Sequence, residues 1–215
     1  MKKIRLIPTA FALLISAFVF TGCVRNNYYD TNPQPQGYQY EFSEEFNNDT
    51  RGWAFDNPAD SSYGLVENGE YKLIDYSLAH GYQTAVVPTG CNVDGNFLVQ
   101  TSIKSNYQFA LIMGTSNTHY GYSFFIDNDF QQFAIYDEGS ASQNYQTLQD
   151  WTTSSAINKT GFNEVEVEQK GGTWYFYINN TQVATMPAKY LSSDQFGFLA
   201  LENMTGEADY LRVKW

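Results

Sequence analysis

Cysteine, histidine and positive charge are all scarce in this chain of 215 residues. The only cysteines are Cys23 and Cys91, so a scaffold of several disulfides is excluded and stability must come from a hydrophobic core. His80 and His119 are the only histidines, and neither lies near a recognisable nucleophile motif. Twelve basic residues stand against 23 acidic ones, which argues against nucleic acid as a partner.

Long apolar runs are scarce too, and the one present lies at residues 6–20, after Lys2, Lys3 and Arg5. A lasting membrane helix needs about 20 apolar residues, so this segment predicts a signal peptide over residues 1–22. Without it the chain keeps nine basic and 23 acidic residues, a net charge of −14. That charge also argues against anionic lipid headgroups as partners.

The sequence FTGC at 20–23 resembles the lipobox of bacterial lipoproteins, although Phe20 stands where that family usually has Leu. The resemblance implies that Cys23 is the lipidated N-terminus and anchors the protein to a membrane. Val24, rather than Asp, predicts the outer membrane, facing the periplasm, in a two-membrane organism. The alternative is an ordinary secretory signal with Cys23 as a free thiol. Residues 23–37 are rich in Pro, Asn and Gln and predict a flexible linker.

From residue 38 to 215, short segments rich in Val, Ile, Phe and Tyr recur between turn residues with a period of two. Twelve strands are predicted, at 38–46, 70–76, 82–87, 97–103, 107–114, 119–127, 130–137, 162–169, 172–179, 182–186, 195–202 and 207–215. So many strands favour two packed sheets, an all-β antiparallel sandwich in a single domain. Alternation places Val165 and Val167 in the core.

The order of segments is similar to the concanavalin A-like or laminin G-like jelly rolls that include the family 16 glycoside hydrolases. The segments are EEF at 44–46, GW at 52–53, VENGEY at 66–71, YGYSFFI at 120–126, FAIY at 133–136, LQDWTTSSAIN at 148–158, FNEVEVE at 162–168, GTWYFYINN at 172–180, FGFLA at 196–200 and ADYLRV at 208–213. Where the family has an Asn-Gly hairpin, Asn180 replaces the Gly. The resemblance implies the fold more than a function, because the fold hosts hydrolases, lyases, lectins and adhesion modules.

Aromatic residues form 17% of the chain and suit the flat faces of sugar rings. The family pattern puts Trp174, Phe176 and Ile178 inside, which turns Tyr175 and Tyr177 outward. By the same alternation, we expect the side chain of Tyr136 to be exposed. We expect Trp151 to flank a glycan site. The alternative is cross-strand aromatic packing that only stabilises the sheet.

The strongest indication of catalysis is Glu164, Glu166 and Glu168, since catalytic members of family 16 carry acidic residues in a similar strand. A retaining glycosidase needs carboxyls about 5–5.5 Å apart, whereas same-face neighbours on a strand lie about 6.6–6.8 Å apart. We therefore expect a solvated acidic face and no catalytic residues.

The sequence requires no cofactor, but two sets of acidic residues suggest Ca²⁺. Glu45, Asp49 and Asp209 are candidate ligands for a structural ion near the first and last strands. Asp127, Asp129 and Glu138 have the spacing of an EF-hand loop, yet the sixth position lacks the required Gly, so a hairpin turn is favoured. Cys91 is expected to be a partly buried small side chain.

Three functions remain open from the sequence. The first is a lipid-anchored, non-catalytic binding or adhesion module of the cell envelope, with glycan as the ligand class. The second is a glycan-active hydrolase or lyase. The third is a structural envelope protein.

Overall fold

The computed structural model describes residues 37–77 and 81–215. Within them lie fifteen strands and no helix: β1 Glu41–Glu44, β2 Phe55–Asn57, β3 Ser62–Glu67, β4 Glu70–Asp75, β5 Tyr82–Pro88, β6 Phe97–Ser105, β7 Gln108–Met113, β8 Tyr122–Asp127, β9 Gln132–Asp137, β10 Gln146–Thr153, β11 Asn163–Lys170, β12 Thr173–Ile178, β13 Thr181–Pro187, β14 Gln195–Leu201 and β15 Met204–Lys214. The all-β prediction is confirmed. None of the described residues forms a helix that is both long and apolar enough to cross a bilayer.

The strands form two antiparallel sheets. The nine-stranded sheet has the order β13-β12-β11-β6-β15-β4-β3-β2, with β1 also paired to β15, and the six-stranded sheet has the order β10-β9-β8-β7-β14-β5. Neighbours in the sheets are often distant in sequence: β6, for example, lies between β11 and β15. The two sheets pack face to face as a sandwich, which is the predicted architecture.

The core lies between the sheets and follows the predicted alternation. Phe97, Val99 and Ile103 of β6 are fully buried, as are Val165 and Val167 of β11. Trp174, Phe176 and Ile178 of β12 are buried in the same cluster. Each strand thus contributes every second residue to one shared interior, as its period of two requires.

Two tight hairpins join β11 to β12 and β12 to β13. Lys170 ends β11 and Thr173 begins β12, with Gly171 and Gly172 at positive φ between them. In the next hairpin, Asn179 and Asn180 have φ of 48° and 62°. Asparagine adopts this left-handed conformation more readily than most residues, so Asn180 replaces the family's glycine without breaking the turn.

Three strands were not among the predicted segments: β2, β3 and β10. The outermost strand β10 is mostly exposed and has two register shifts against β9, so its sequence shows no regular apolar alternation. In β3, Gly64 interrupts the pattern for a packing reason. A Cβ there would lie 2.6 Å from the Phe55 ring and 2.7 Å from the Trp53 carbonyl oxygen, so only glycine fits.

The predictions for the signal peptide, for Cys23 and for nearly all of the linker fall on residues 1–36, outside the described residues. His80 also falls outside them.

Candidate functional site

The six-stranded sheet buries side chains on both of its faces. All six residues of β8 are buried, and five of the six in β7. Its inner face joins the shared core, whereas its outer face carries a second apolar cluster of Ala110, Ile112, Phe125 and Leu199. A sheet face that is buried without a third layer above it must be covered by its own edge strands and loops.

Large rings from β5, β9 and β10 provide this cover. The side chains of Tyr82, Tyr136 and Trp151 pack onto the second apolar cluster. These rings surround a depression on the outer face of the sheet, with Phe125 in its lining, which we call the cleft.

The cleft consists of two cavities that share Tyr82 and Tyr120. The first cavity has a volume of about 690 Å³, and its walls include Tyr136, Tyr145 and Trp151. The second has a volume of about 500 Å³ and is lined mostly by serine, threonine, asparagine and glutamine. The cleft therefore has an aromatic half and a polar half.

The rings of the aromatic half form a connected series. Trp151 lies 6.1 Å from Phe125, Phe125 lies 5.9 Å from Tyr136, and Tyr136 lies 6.1 Å from Tyr145, measured between ring centroids. Three of the rings are held in place by packing, while Tyr145 is 67% exposed. The three packed rings offer apolar faces to a ligand and do not lose conformational freedom when it binds.

Glu138, which directly follows β9, places a carboxylate in the aromatic half. The Ser123 hydroxyl of β8 donates a hydrogen bond to it. Burial raises the pKa of Glu138 despite that hydrogen bond, which acts in the opposite direction. The pKa of Tyr82 is raised by burial and, next, by the charge of Glu138, so this carboxylate acts on the part of the cleft where the two halves meet.

The four predicted ligand residues do not form one cluster. Tyr136 of β9 and Trp151 of β10 belong to the six-stranded sheet and line the cleft. Tyr175 and Tyr177 of β12 belong to the nine-stranded sheet, and their side chains lie on its outer face. A single site containing all four is ruled out because the core lies between the two pairs. Tyr136 is half-buried and not fully exposed.

The three glutamates of β11 point outward, as predicted, on the nine-stranded sheet. Gln100 donates a hydrogen bond of 2.7 Å to Glu166, and the Tyr38 hydroxyl donates one of 3.4 Å to Glu168. Burial raises the pKa of Glu166. A cavity of about 240 Å³ lies between Glu164, Glu166, Tyr177 and Asn180. This acidic face lies on the opposite side of the sandwich from the cleft.

The predicted calcium ligands do not come together. Both carboxylate oxygens of Glu45 accept hydrogen bonds of 2.8 Å from Arg212, and Asp49 accepts from the backbone N–H groups of Trp53 and Ala54. Asp127 accepts from the Phe130 N–H, which closes the β8–β9 turn. Among residues 37–77 and 81–215, no group of three or more acidic, histidine or cysteine side chains has a geometry suited to a metal.

His119 is held by hydrogen bonds, and Cys91 is buried. The His119 Nε2 lies 2.8 Å from Asp137, and its Nδ1 accepts from the Gly121 N–H. Cys91 is buried, and burial raises the pKa of its thiol to about 12, so the nucleophilic thiolate is disfavoured.

No protein-family model matches this sequence, and no curated protein matches it. Solved structures do. A Bacillus subtilis protein of unknown function with a galectin-like fold aligns at a TM-score of 0.55 and 9% identity over 82% of this chain and 94% of its own. Bacillus licheniformis β-glucanase aligns at 0.52 and 14% over 83% and 100%. The κ-carrageenase of Pseudoalteromonas carrageenovora, in complex with a κ-carrageenan oligotetrasaccharide, aligns at 0.52 and 12% over 84% and 98%.

The fold is a concanavalin A-like jelly roll. Of the aromatic residues that line the cleft, the sequence analysis identified Tyr136 and Trp151 as ligand candidates. It did not identify Tyr82, Tyr120 and Tyr145. One signal was available in β8, where Phe124 and Phe125 are adjacent. Neighbouring residues of a strand point to opposite faces, so two consecutive phenylalanines indicate a strand that is buried on both sides.

Proposed function

We propose that this protein is a non-catalytic, carbohydrate-binding module of the cell envelope and that the cleft is its glycan site. One observation carries the proposal: a connected series of aromatic rings lines a cavity of about 690 Å³ on the outer face of the six-stranded sheet. Sugar rings have apolar faces and polar edges. Tyr136, Tyr145 and Trp151 match the faces, and Gln108 and Asn144 at the same cavity match the hydroxyls.

The solved neighbours support a glycan-related role. The β-glucanase and the κ-carrageenase are named for the glycans on which they act, and the latter was solved with an oligosaccharide. The identity to this chain is below 15% in both, so the likeness concerns the fold. The cleft of this chain is therefore the basis for proposing a glycan ligand, and the neighbours agree with it.

A glycan-active enzyme is the second candidate, and Glu138 favours it. A carboxyl group whose pKa is raised by burial in a cleft has the property of a general acid. Binding without turnover is favoured by the position of the acidic strand. Glu164, Glu166 and Glu168 are the residues that most resemble a catalytic strand, and they lie on the sheet that does not form the cleft.

The test is a glycan array probed with the full chain and with single alanine variants. Trp151→Ala should weaken binding by roughly 30-fold, about 2 kcal/mol, because it removes a large stacking surface. Tyr175→Ala, the matched aromatic control on the other sheet, should bind as the unchanged chain does. Thermal unfolding of each variant shows whether it is folded. Equal loss in both variants, or no binding to any glycan, contradicts the proposed site.

Product release distinguishes binding from catalysis. The unchanged chain should leave bound oligosaccharides intact, as followed by mass spectrometry. Release of shorter products that is lost in Glu138→Gln supports the enzyme instead.

The anchor belongs to the same proposal. Lipid on Cys23 would tether the module to the outer membrane through residues 23–37 and leave it facing the periplasm. Mass spectrometry of the protein extracted from membranes should find an acylated Cys23. Cys23→Ser should move the protein to the soluble fraction. Recovery of an unmodified Cys23 in membrane extracts contradicts the anchor.

A further inference from the structure

The two halves of the cleft differ in chemistry yet lie on one face. The aromatic half extends over β8, β9 and β10, while the polar half lies towards β5 and β14, and Tyr82 and Tyr120 belong to both. Six strands span about 24 Å at a spacing of about 4.8 Å. The cleft is therefore long enough for more than one sugar unit, and a ligand that fills it must cross the strands.

The polar half is braced in place. The Ser192 hydroxyl donates to the Gly114 carbonyl oxygen at 2.8 Å and also lies 2.8 Å from the Ser116 hydroxyl. The Ser193 hydroxyl donates to the Thr115 carbonyl oxygen. These bonds join the segment after β7 to the segment before β14. The wall of the polar half is thus fixed before any ligand arrives.

Three other polar groups of this half have no hydrogen-bond partner among the described residues. The side chains of Asn117 and Gln195 make no hydrogen bond to another described residue, although both line the cavity. The Thr115 hydroxyl is buried and has no hydrogen-bond partner among the described residues. The Thr115 hydroxyl is enclosed in the wall, whereas the amides of Asn117 and Gln195 line the cavity and are free to hydrogen-bond a polar ligand in place of water.

The charge of the cleft is one-sided. Among the described residues that line its two halves there are two carboxylates, Glu138 and Asp150, and no lysine, arginine or histidine. The charge of Asp150 is the second cause, after burial, of a raised pKa at Tyr136. An anionic ligand would meet these like charges without a compensating cation, whereas an uncharged ligand would not.

From these observations we propose that the polar half is a second subsite and that the cleft selects a stretch of several sugar units in an uncharged polysaccharide. This inference rests on the proposed function. The aromatic half stacks on sugar rings, the polar half hydrogen-bonds to hydroxyls further along the same chain, and the two carboxylates reject glycans with carboxylate or sulfate groups.

The charge filter is tested with matched polymers. Each uncharged polysaccharide that binds the full chain is compared with its carboxymethylated derivative by isothermal titration calorimetry at low salt. The derivative should bind at least roughly tenfold more weakly. The double variant Glu138→Gln with Asp150→Asn should narrow that difference, as should added salt. Equal or tighter binding of the derivative overturns the inference and leaves the proposed function standing.

The second subsite is tested with chain length. Gln195→Ala and Asn117→Ala should weaken binding of a long oligosaccharide severalfold and leave a disaccharide unaffected. Gln182→Ala, an exposed glutamine on β13 of the other sheet, is the matched control. Unchanged binding of the long ligand in both variants overturns the second subsite. Failure of every polysaccharide to bind the unchanged chain overturns the proposed function itself, which is a different result.

Discussion

The two outer faces of this sandwich differ in what covers them. On the nine-stranded sheet, many outward side chains are charged and form ion pairs near water, such as Lys72 with Glu67 at 2.9 Å and Arg212 with Glu45 at 2.8 Å. On the six-stranded sheet, outward side chains such as Ile112 and Leu199 are fully buried. An outward position in a sandwich is therefore not always exposed to solvent. Where an outer sheet face is buried by its own side chains and loops, with no third layer packed on it, a cleft can form.

The largest effect expected from this difference is on stability. Phe125 lies on the outer face of the six-stranded sheet yet is only 3% exposed. Phe125→Ala should therefore cost about 3–4 kcal/mol, as in a true core. Tyr177→Ala, the aromatic counterpart on the other outer face, should cost about 1 kcal/mol or less. Urea unfolding measures both, and similar losses would show that the two faces are alike.

A smaller effect is expected on binding from two exposed aromatics. Tyr145 and Tyr190 are 67% and 76% exposed, but only Tyr145 lines the cleft and contacts its ring series. Tyr145→Ala should weaken glycan binding about tenfold, or about 1.4 kcal/mol. Tyr190→Ala should leave glycan binding unchanged, because Tyr190 is exposed but does not belong to the ring series of the cleft. If Tyr190→Ala were the more damaging change, the cleft would not be the site.

The smallest effects concern pH, and they should have opposite signs on the two faces. Burial raises the pKa of Glu138, so the folded state holds that proton more tightly and loses stability as the pH rises from the usual carboxyl range through the folded pKa. Hydrogen bonds from Arg212 lower the pKa of Glu45, so its contribution is present above the unfolded pKa and disappears as the pH falls through the folded value.

Two conservative variants isolate these contributions. Relative to the unchanged chain, Glu138→Gln should become more stable as the pH rises to neutral. Glu45→Gln should become less stable over the same change, by no more than about 0.5 kcal/mol because the ion pair is exposed. Unfolding free energies measured from acidic to neutral pH check both, and slopes of the same sign would refute the contrast.

Much of the fold was predictable because the apolar alternation of a regular strand is visible in consecutive residues. Val165, Val167, Trp174 and Phe176 are buried as predicted, and the glutamates between the valines point outward. What failed was the prediction of strands without that pattern. The exposed strand β10 carries Trp151 among polar residues, and its register shifts interrupt the period of two.

The candidate site was only partly predictable, because it joins residues from distant parts of the chain. Tyr136 and Trp151 were identified as outward aromatics, but so were Tyr175 and Tyr177, which lie on the other sheet. Nothing local distinguishes these pairs. Tyr82 reaches the cleft from β5 at one edge of the six-stranded sheet, whereas Trp151 reaches it from β10 at the opposite edge.

By itself, the sequence determined which side of each regular strand faces the shared interior, since alternation is a property of consecutive residues. It also determined the turns, because Asn and Gly adopt positive φ at little cost. Only the tertiary structure decided which outward face became a cleft and which stayed charged and solvated. Which face forms a cleft depends on the order of strands in each sheet. Long-range backbone pairing sets that order, and it cannot be deduced from any short stretch of sequence.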